Sequence, residues 1–168
     1  VTALRPDGRG FFVQDATAPH SGIEVYASDG APALAVGGRV RVIGTTHRYA
    51  DRDELLLDAV VPLPAEGAPP APVEVTADRI GDGGGAALEL DGMLVHVEDV
   101  AVAVTNPDLP DDYDESLLDG ELRLDDHLWS ELDNGYAQGA RLELTDVLGR
   151  SFGHQKLWPR SLEDVVVR

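Results

Sequence analysis

"GFFVQDATAPHSGIEVYA", residues 10–27, reads as a strand, a polar break and a second strand. Phe11, Phe12 and Val13 form the first apolar run, Gln14 and Asp15 close it, and Gly22 restarts the chain into Ile23-Glu24-Val25-Tyr26. Apolar runs this short, bounded by turn residues and rich in β-branched and aromatic side chains, predict strands rather than helices. Asp15 is expected to bond backbone N–H groups of the turn after it, and Gly22 to let the next strand begin close against it.

The rest of the first half follows suit, with "VTALR" before this stretch and "RVRVIGTTH" and "ELLLDAVV" after it. Alternation is clearest from Arg39 to Ile43, where Val40 and Val42 share one face and Arg39 and Arg41 the other. Asp7-Gly8, Asp29-Gly30 and Gly37-Gly38 supply turn residues. Residues 63–73, "LPAEGAPPAPV", have no periodicity and too much proline for a hydrogen-bonded ladder. We read 64–73 as a linker between one domain at 1–63 and another at 74–168. The chain opens at Val1 inside an apparent strand, so a truncated first domain is expected.

The second half carries "MLVHVEDVAVAV", "GELRLDD", "ARLELTDVL", "HQKLWP" and "EDVVV" as strands, with an acidic insertion over 105–121. At an offset of 102, Val40, Val42 and Leu55 fall on Leu142, Leu144 and Leu157, and "FVQD" has an apparent echo in "LRLDD". Two copies are too few for a solenoid. The predicted fold is therefore all-β: two tandem small Greek-key barrels, OB-fold-like, joined by the Pro/Ala-rich linker. Sandwiches and SH3-like barrels share the strand count.

Residues 1–15, "VTALRPDGRGFFVQD", with "GIEVYA", "VGGRVRVIGTTHRY" and "ELLL", resemble the OB-fold modules beside the catalytic domain of secreted bacterial endonucleases and in related surface proteins. "LDGMLVHVEDVAVA", "GELRLDD" and "VLGRSFGHQKLWPRSLEDV" resemble the second such module, with Phe152, Gly153, Lys156, Leu157, Pro159, Arg160 and Ser161 in its matching pieces. The resemblance implies a non-catalytic accessory region, an extracellular or cell-surface bacterial location, and a catalytic domain in the same parent chain. Asp146 departs from the pattern, standing where Gly44 of the first half predicts a glycine.

Composition restricts function more than it reveals it. The 168 residues include 31 acidic and 13 basic ones, for a formal charge of -18, so the overall field repels nucleic acid. Without cysteine there are neither disulfides nor thiolate zinc sites. Charge interrupts every hydrophobic run, which argues against a membrane partner. The five histidines lack zinc-ligand spacing, "DDH" at 125–127 alternates across a strand, "GDGGG" at 81–85 lacks the Lys-Ser/Thr of a phosphate loop, and no G-x-S-x-G elbow occurs.

Two candidate sites remain. Seven basic residues cluster near the loops by which OB-folds bind: Arg5, Arg9, Arg48, Arg52, Arg150, Lys156 and Arg160. Tyr26, Tyr49, Phe152 and Trp158 accompany them, and rings beside arginines suit single-stranded nucleic acid. The competing account is that these aromatics plug barrel ends, leaving a structural spacer or a protein- or carbohydrate-interaction module. The second candidate is the acidic insertion, where Asp108, Asp111, Asp112, Asp114, Glu115 and Asp119 supply oxygen ligands suited to calcium without the EF-hand spacing. A solvated loop is the alternative. Calcium is the only cofactor suggested.

Overall fold

A computed structural model describes residues 1–49, 51–133 and 135–168. Five strands build the first half: β1 (Ala3–Leu4), β2 (Gly10–Gln14), β3 (Gly22–Tyr26), β4 (Val40–Tyr49) and β5 (Arg52–Pro62). Their order is β1-β2-β3-β5-β4, antiparallel except for β3 and β5, which run parallel with Val25 opposite Leu55. The second half contains β6 (Val73–Glu74), the short helix α1 (Ala77–Ile80), β7 (Leu94–Val104), β8 (Ser116–Leu118), β9 (Leu122–Leu124), β10 (Arg141–Ser151), β11 (His154–Trp158) and β12 (Val165–Val167).

In the second half β7, β8, β9, β11 and β10 follow the same order, and β10 also pairs with β7, closing a five-stranded barrel. Here too the third and fifth strands are parallel, with Leu124 opposite Leu157. The 102-residue correspondence is therefore visible in the pairing, since Leu55 and Leu157 hold equivalent places. One part of the sequence alignment is corrected. "LRLDD" forms the third strand of its half, whereas "FVQD" closes the second; the strand in the position equivalent to β2 is β8, inside the stretch read as a loop insertion. Three residues, Ser116–Leu118, are too short for their period to show in sequence.

The closed barrel is filled by aliphatic side chains, among them Met93, Val95, Val97, Leu118, Leu122, Leu124, Leu142, Leu144, Leu148 and Leu157. The first half has no comparable interior. Its Ala3 and Phe12 join Leu94, Leu128, Val147 and Trp158 in a second apolar cluster spanning both halves. Trp158 is 1% exposed, and its ring lies 6.0 Å from that of Phe12. Gly149 makes room for it, because a Cβ there would come within 1.9 Å of the indole.

The opening stretch lies on this seam. Gln14, rather than Asp15, fixes it: its amide nitrogen donates to the Ala16 carbonyl and its oxygen accepts from the Leu94 N–H, both at 2.8 Å. Asp15 is exposed and its carboxylate makes no hydrogen bond among the described residues. Gly22 is required for a different approach than the expected one against the Asp15 turn: a Cβ there would meet Gly92 O at 2.6 Å and the Met93 side chain at 2.5 Å, both from the second half. Residues 63–72 contain no regular element.

Among the buried charged residues Asp146 is the most enclosed. It is fully buried on β10, and neither carboxyl oxygen has a hydrogen-bond partner. Burial, reinforced by the Asp164 charge, pushes its pKa well above the usual carboxylate range. The folded chain thus holds a proton that the unfolded chain releases near pH 4, so this residue's contribution is largest in acid and declines as pH rises. Asp91 and Asp126, raised mainly by burial to about 6, lose theirs through pH 6. Each proton that the fold retains and the unfolded chain releases corresponds to about 1.4 kcal/mol of lost stability per pH unit. Asp146→Asn should weaken the loss of stability as pH rises above about 4 in urea denaturation; an unchanged pH dependence would mean that the buried carboxyl holds no extra proton in the fold.

Candidate functional site

The predicted nucleic-acid residues do not form one basic surface. Arg5 donates to Glu24 at 2.8 Å and to Asp7 at 2.7 Å, and its guanidinium lies 5.9 Å from the half-buried Tyr26 ring. Arg48 pairs with Asp53 at 2.9 Å, and Arg160 is held in a fork by Asp164 while also donating to the Thr2 carbonyl. Arg150 pairs with Asp51 at 2.8 Å. Arg9 alone of the seven makes no side-chain ion pair among the described residues.

Two of the cations are interior. Arg52 is 9% exposed, with its guanidinium 2.9 Å from Glu24 and 5.5 Å from the Trp158 ring centre. Glu24 is therefore bracketed by Arg5 and Arg52, and it faces Glu54 across the parallel β3–β5 pair. Burial first, then the Glu24 charge, raises the Glu54 pKa. A cavity of about 220 Å³ beside this group is lined by Phe12, Glu24, Arg52, Asp91 and Trp158. Lys156 is buried on β11, bonded to Glu115 and, at 2.7 Å, to Asp125. Extended strands carry these charges inward because each is matched by an opposite one.

The acidic insertion is tied down by the same logic. Arg123 on β9 donates to Asp108 and Glu115, so these two candidate calcium ligands, together with the Lys156 contact, already face cations. Asp112 accepts from the Asp114 N–H at 3.2 Å, and Asp119 from the Ala101 N–H at 3.4 Å. Asp111 contributes its backbone to a turn with Asp108. Among the described residues no group of three or more His, Asp or Glu side chains could hold a metal. "DDH" lies past the end of β9 in a turn rather than on a strand: Asp125 bonds Lys156 and accepts from the His127 N–H at 2.8 Å, while the His127 ring lies 4.6 Å from that of Trp158, burial depressing its pKa to about 4. In "GDGGG", Asp82 accepts from the Gln155 N–H at 2.7 Å and contacts His154 at 2.6 Å, an anchoring role.

What the structure does bring together is two hairpin tips. The β4–β5 tip and the β10–β11 tip meet at Asp51, which accepts from Arg150 and from the Gly153 N–H at 3.1 Å. On these tips Tyr49 is 61% and Phe152 92% exposed. Phe152 has φ of 52°, a left-handed conformation that favours glycine, and its ring lies 5.6 Å from the Lys156 ammonium. Trp158, by contrast, is core. The tip–tip contact and the Glu24 bracket were not anticipated; both depend on long-range pairing that local pattern does not report. The 102-residue offset, which places Asp51 on Gly153, was the available signal.

No protein-family model matches the chain, and no curated protein or solved structure matches it.

The Lys156 arrangement gives a stability test. Removing one member of a buried ion pair leaves its partners uncompensated, at a cost of about 3–5 kcal/mol. Lys156→Met should destabilise by that amount in urea denaturation, and adding Glu115→Gln and Asp125→Asn should restore most of it. A neutral single substitution would show that the ammonium is solvated.

Proposed function

We propose that the chain is a non-catalytic accessory region built of two tandem OB-like units joined by the segment 64–73, and that it serves as an interaction or spacer module of a larger secreted or surface protein. The shared strand order, with a parallel third and fifth strand in each half, supports the OB-like assignment. Extracellular location and a nuclease-like parent rest on the resemblance carried by "GFFVQD" and the Lys156–Ser161 segment. One observation favours interaction over nucleic-acid capture: every candidate cation except Arg9 is matched to a carboxylate of the same chain.

Nucleic-acid affinity comes largely from cations that replace counterions on phosphate. Arginines already neutralised, on a chain of charge -18, leave little to exchange. In a fluorescence titration at about 20 mM salt, where such contacts are strongest, labelled oligo-dT should show no saturable binding. A saturable isotherm that weakens steeply with added salt would overturn the reading.

Tyr49 and Phe152 favour one second reading, stacking on a neutral glycan, since rings stack on sugar faces without needing positive charge. The Tyr49→Ala, Phe152→Ala double variant should keep its stability within about 0.5 kcal/mol, as exposed substitutions do. If glycan stacking operates, it should also lose retardation in neutral polysaccharide gels; identical migration of both proteins would remove this second reading.

A further inference from the structure

Lys156 is the chain's one lysine, and β11 carries it to 1% exposure. β11 runs parallel to β9, with Lys156 opposite Arg123 and Leu157 opposite Leu124, and the Leu157 carbonyl accepts from the Asp125 N–H at 3.0 Å. Asp125 therefore enters its turn beside Lys156, and its Oδ2 lies 2.7 Å from the Lys156 Nζ. Glu115, the residue before β8, bonds the same nitrogen through Oε1. Asp125 is 7% and Glu115 6% exposed, so one amine and two carboxyl groups meet out of bulk water.

The two carboxyl groups are held differently. Glu115 gives its other oxygen to Arg123 at 2.7 Å, and a carboxylate clamped by a guanidinium is a poor electrophile that can still trade a proton through Oε1. Asp125 has no guanidinium partner among the described residues. Its Oδ1 accepts from the His127 N–H at 2.8 Å, so the oxygen that gains charge when Cγ is attacked already faces a backbone donor, as in an oxyanion hole. Its Oδ2 is the oxygen turned to the amine. In water an ammonium and a carboxylate stay apart because both are well solvated; burial removes that solvation and favours any reaction that cancels the two charges. Groups fixed in contact also react as though present at about 10⁵ M or more.

We propose that Lys156 and Asp125 condense into an amide between Nζ and Cγ, with Glu115 carrying the proton, so that the folded chain cross-links β11 to the turn after β9. The ammonium first passes a proton to Asp125 Oδ2, leaving an amine beside a carboxylic acid. The Nζ lone pair then forms a bond to Cγ, and negative charge moves onto Oδ1 against the His127 N–H. Glu115 takes a proton from the nitrogen and returns it to Oδ2, the Cγ–Oδ2 bond breaks, and water leaves. Of the three ammonium protons one stays on the amide and two depart in the water; Glu115 ends as it began, and no oxidant or co-reactant is consumed. The amide closes residues 125–156, β10 included, into a loop that restricts the unfolded chain as a disulfide would, in a sequence without cysteine. The energetics of the buried ion pair then describe the chain before condensation. None of this depends on what the module binds.

Mass spectrometry of the purified 168-residue protein under denaturing conditions tests this directly. The intact chain should be lighter than its sequence by one water. Trypsin, which cuts after arginine and lysine, should release residues 124–141 joined to residues 151–160, because an acylated Lys156 is no longer a cleavage site. Glu115→Gln keeps both reacting groups and removes the proton carrier, a role worth about a hundredfold or more in rate. At purification that variant should show the full mass, with Lys156 cut by trypsin, while its circular dichroism matches the parent's. The parent's mass decides the proposal whether or not the variant folds. A parent chain of full mass overturns it. So does a lost water with Lys156 still cut, which would place the dehydration elsewhere, or a branch joining 151–160 to 80–123, which would make Glu115 the acceptor.

Discussion

The joining of the two halves leans on the burial of Trp158. A short five-stranded sheet that does not close cannot cover its own apolar face, and β1 to β5 bury only a few large side chains internally. Phe12 and Ala3 instead share a cluster with the indole from β11, and Gly149 is the vacancy that lets the ring lie flat beneath its own hairpin. Arg52 stacks on the ring from the first half and carries Glu24 and Arg5 with it. One side chain thus connects the apolar seam to the charged network above it.

The same seam explains where the charge goes. A chain with so few cations uses nearly all of them internally, so its surface field is more acidic than a map of loop arginines suggests. Lys156, the sole lysine, is buried among carboxylates on a strand end, a position where an aliphatic residue would remove the ion pairs without removing the volume. Buried pairs of this kind contribute little net stability but penalise any arrangement that separates the partners. Here they fix the register of β9, β11 and the 108–115 loop relative to one another.

Strands that obey a period were legible in the sequence: Val40 and Val42 against Arg39 and Arg41, or the Phe-Phe-Val run, announce their faces locally. The offset of 102 likewise located equivalent strands, because Leu55 and Leu157 perform the same pairing. Ser116–Leu118 escaped notice since three residues carry no measurable alternation amid acidic neighbours. Glu24 and Arg52 were hidden for another reason: a buried charge on a strand looks like an exposed one until its partner, remote in sequence, is known. Of the candidate binding residues, Phe152 and Tyr49 are exposed as a stacking role requires, whereas Trp158, Arg52 and Lys156 lie inside.

The clasp at Asp51 couples two loops that a repeat protein would ordinarily be able to vary separately. Its carboxylate spans from one hairpin to the other through Arg150 and the Gly153 backbone, so each tip has a length set by its counterpart. Lengthening either hairpin by a residue would carry its tip past the other and release both. Sequence drift is therefore constrained in pairs at these positions, whereas the segment at 64–72 is held only at its start, where Arg39 bonds Pro64 and Glu66, and residues 67–72 are where the chain can absorb an inserted domain or tag.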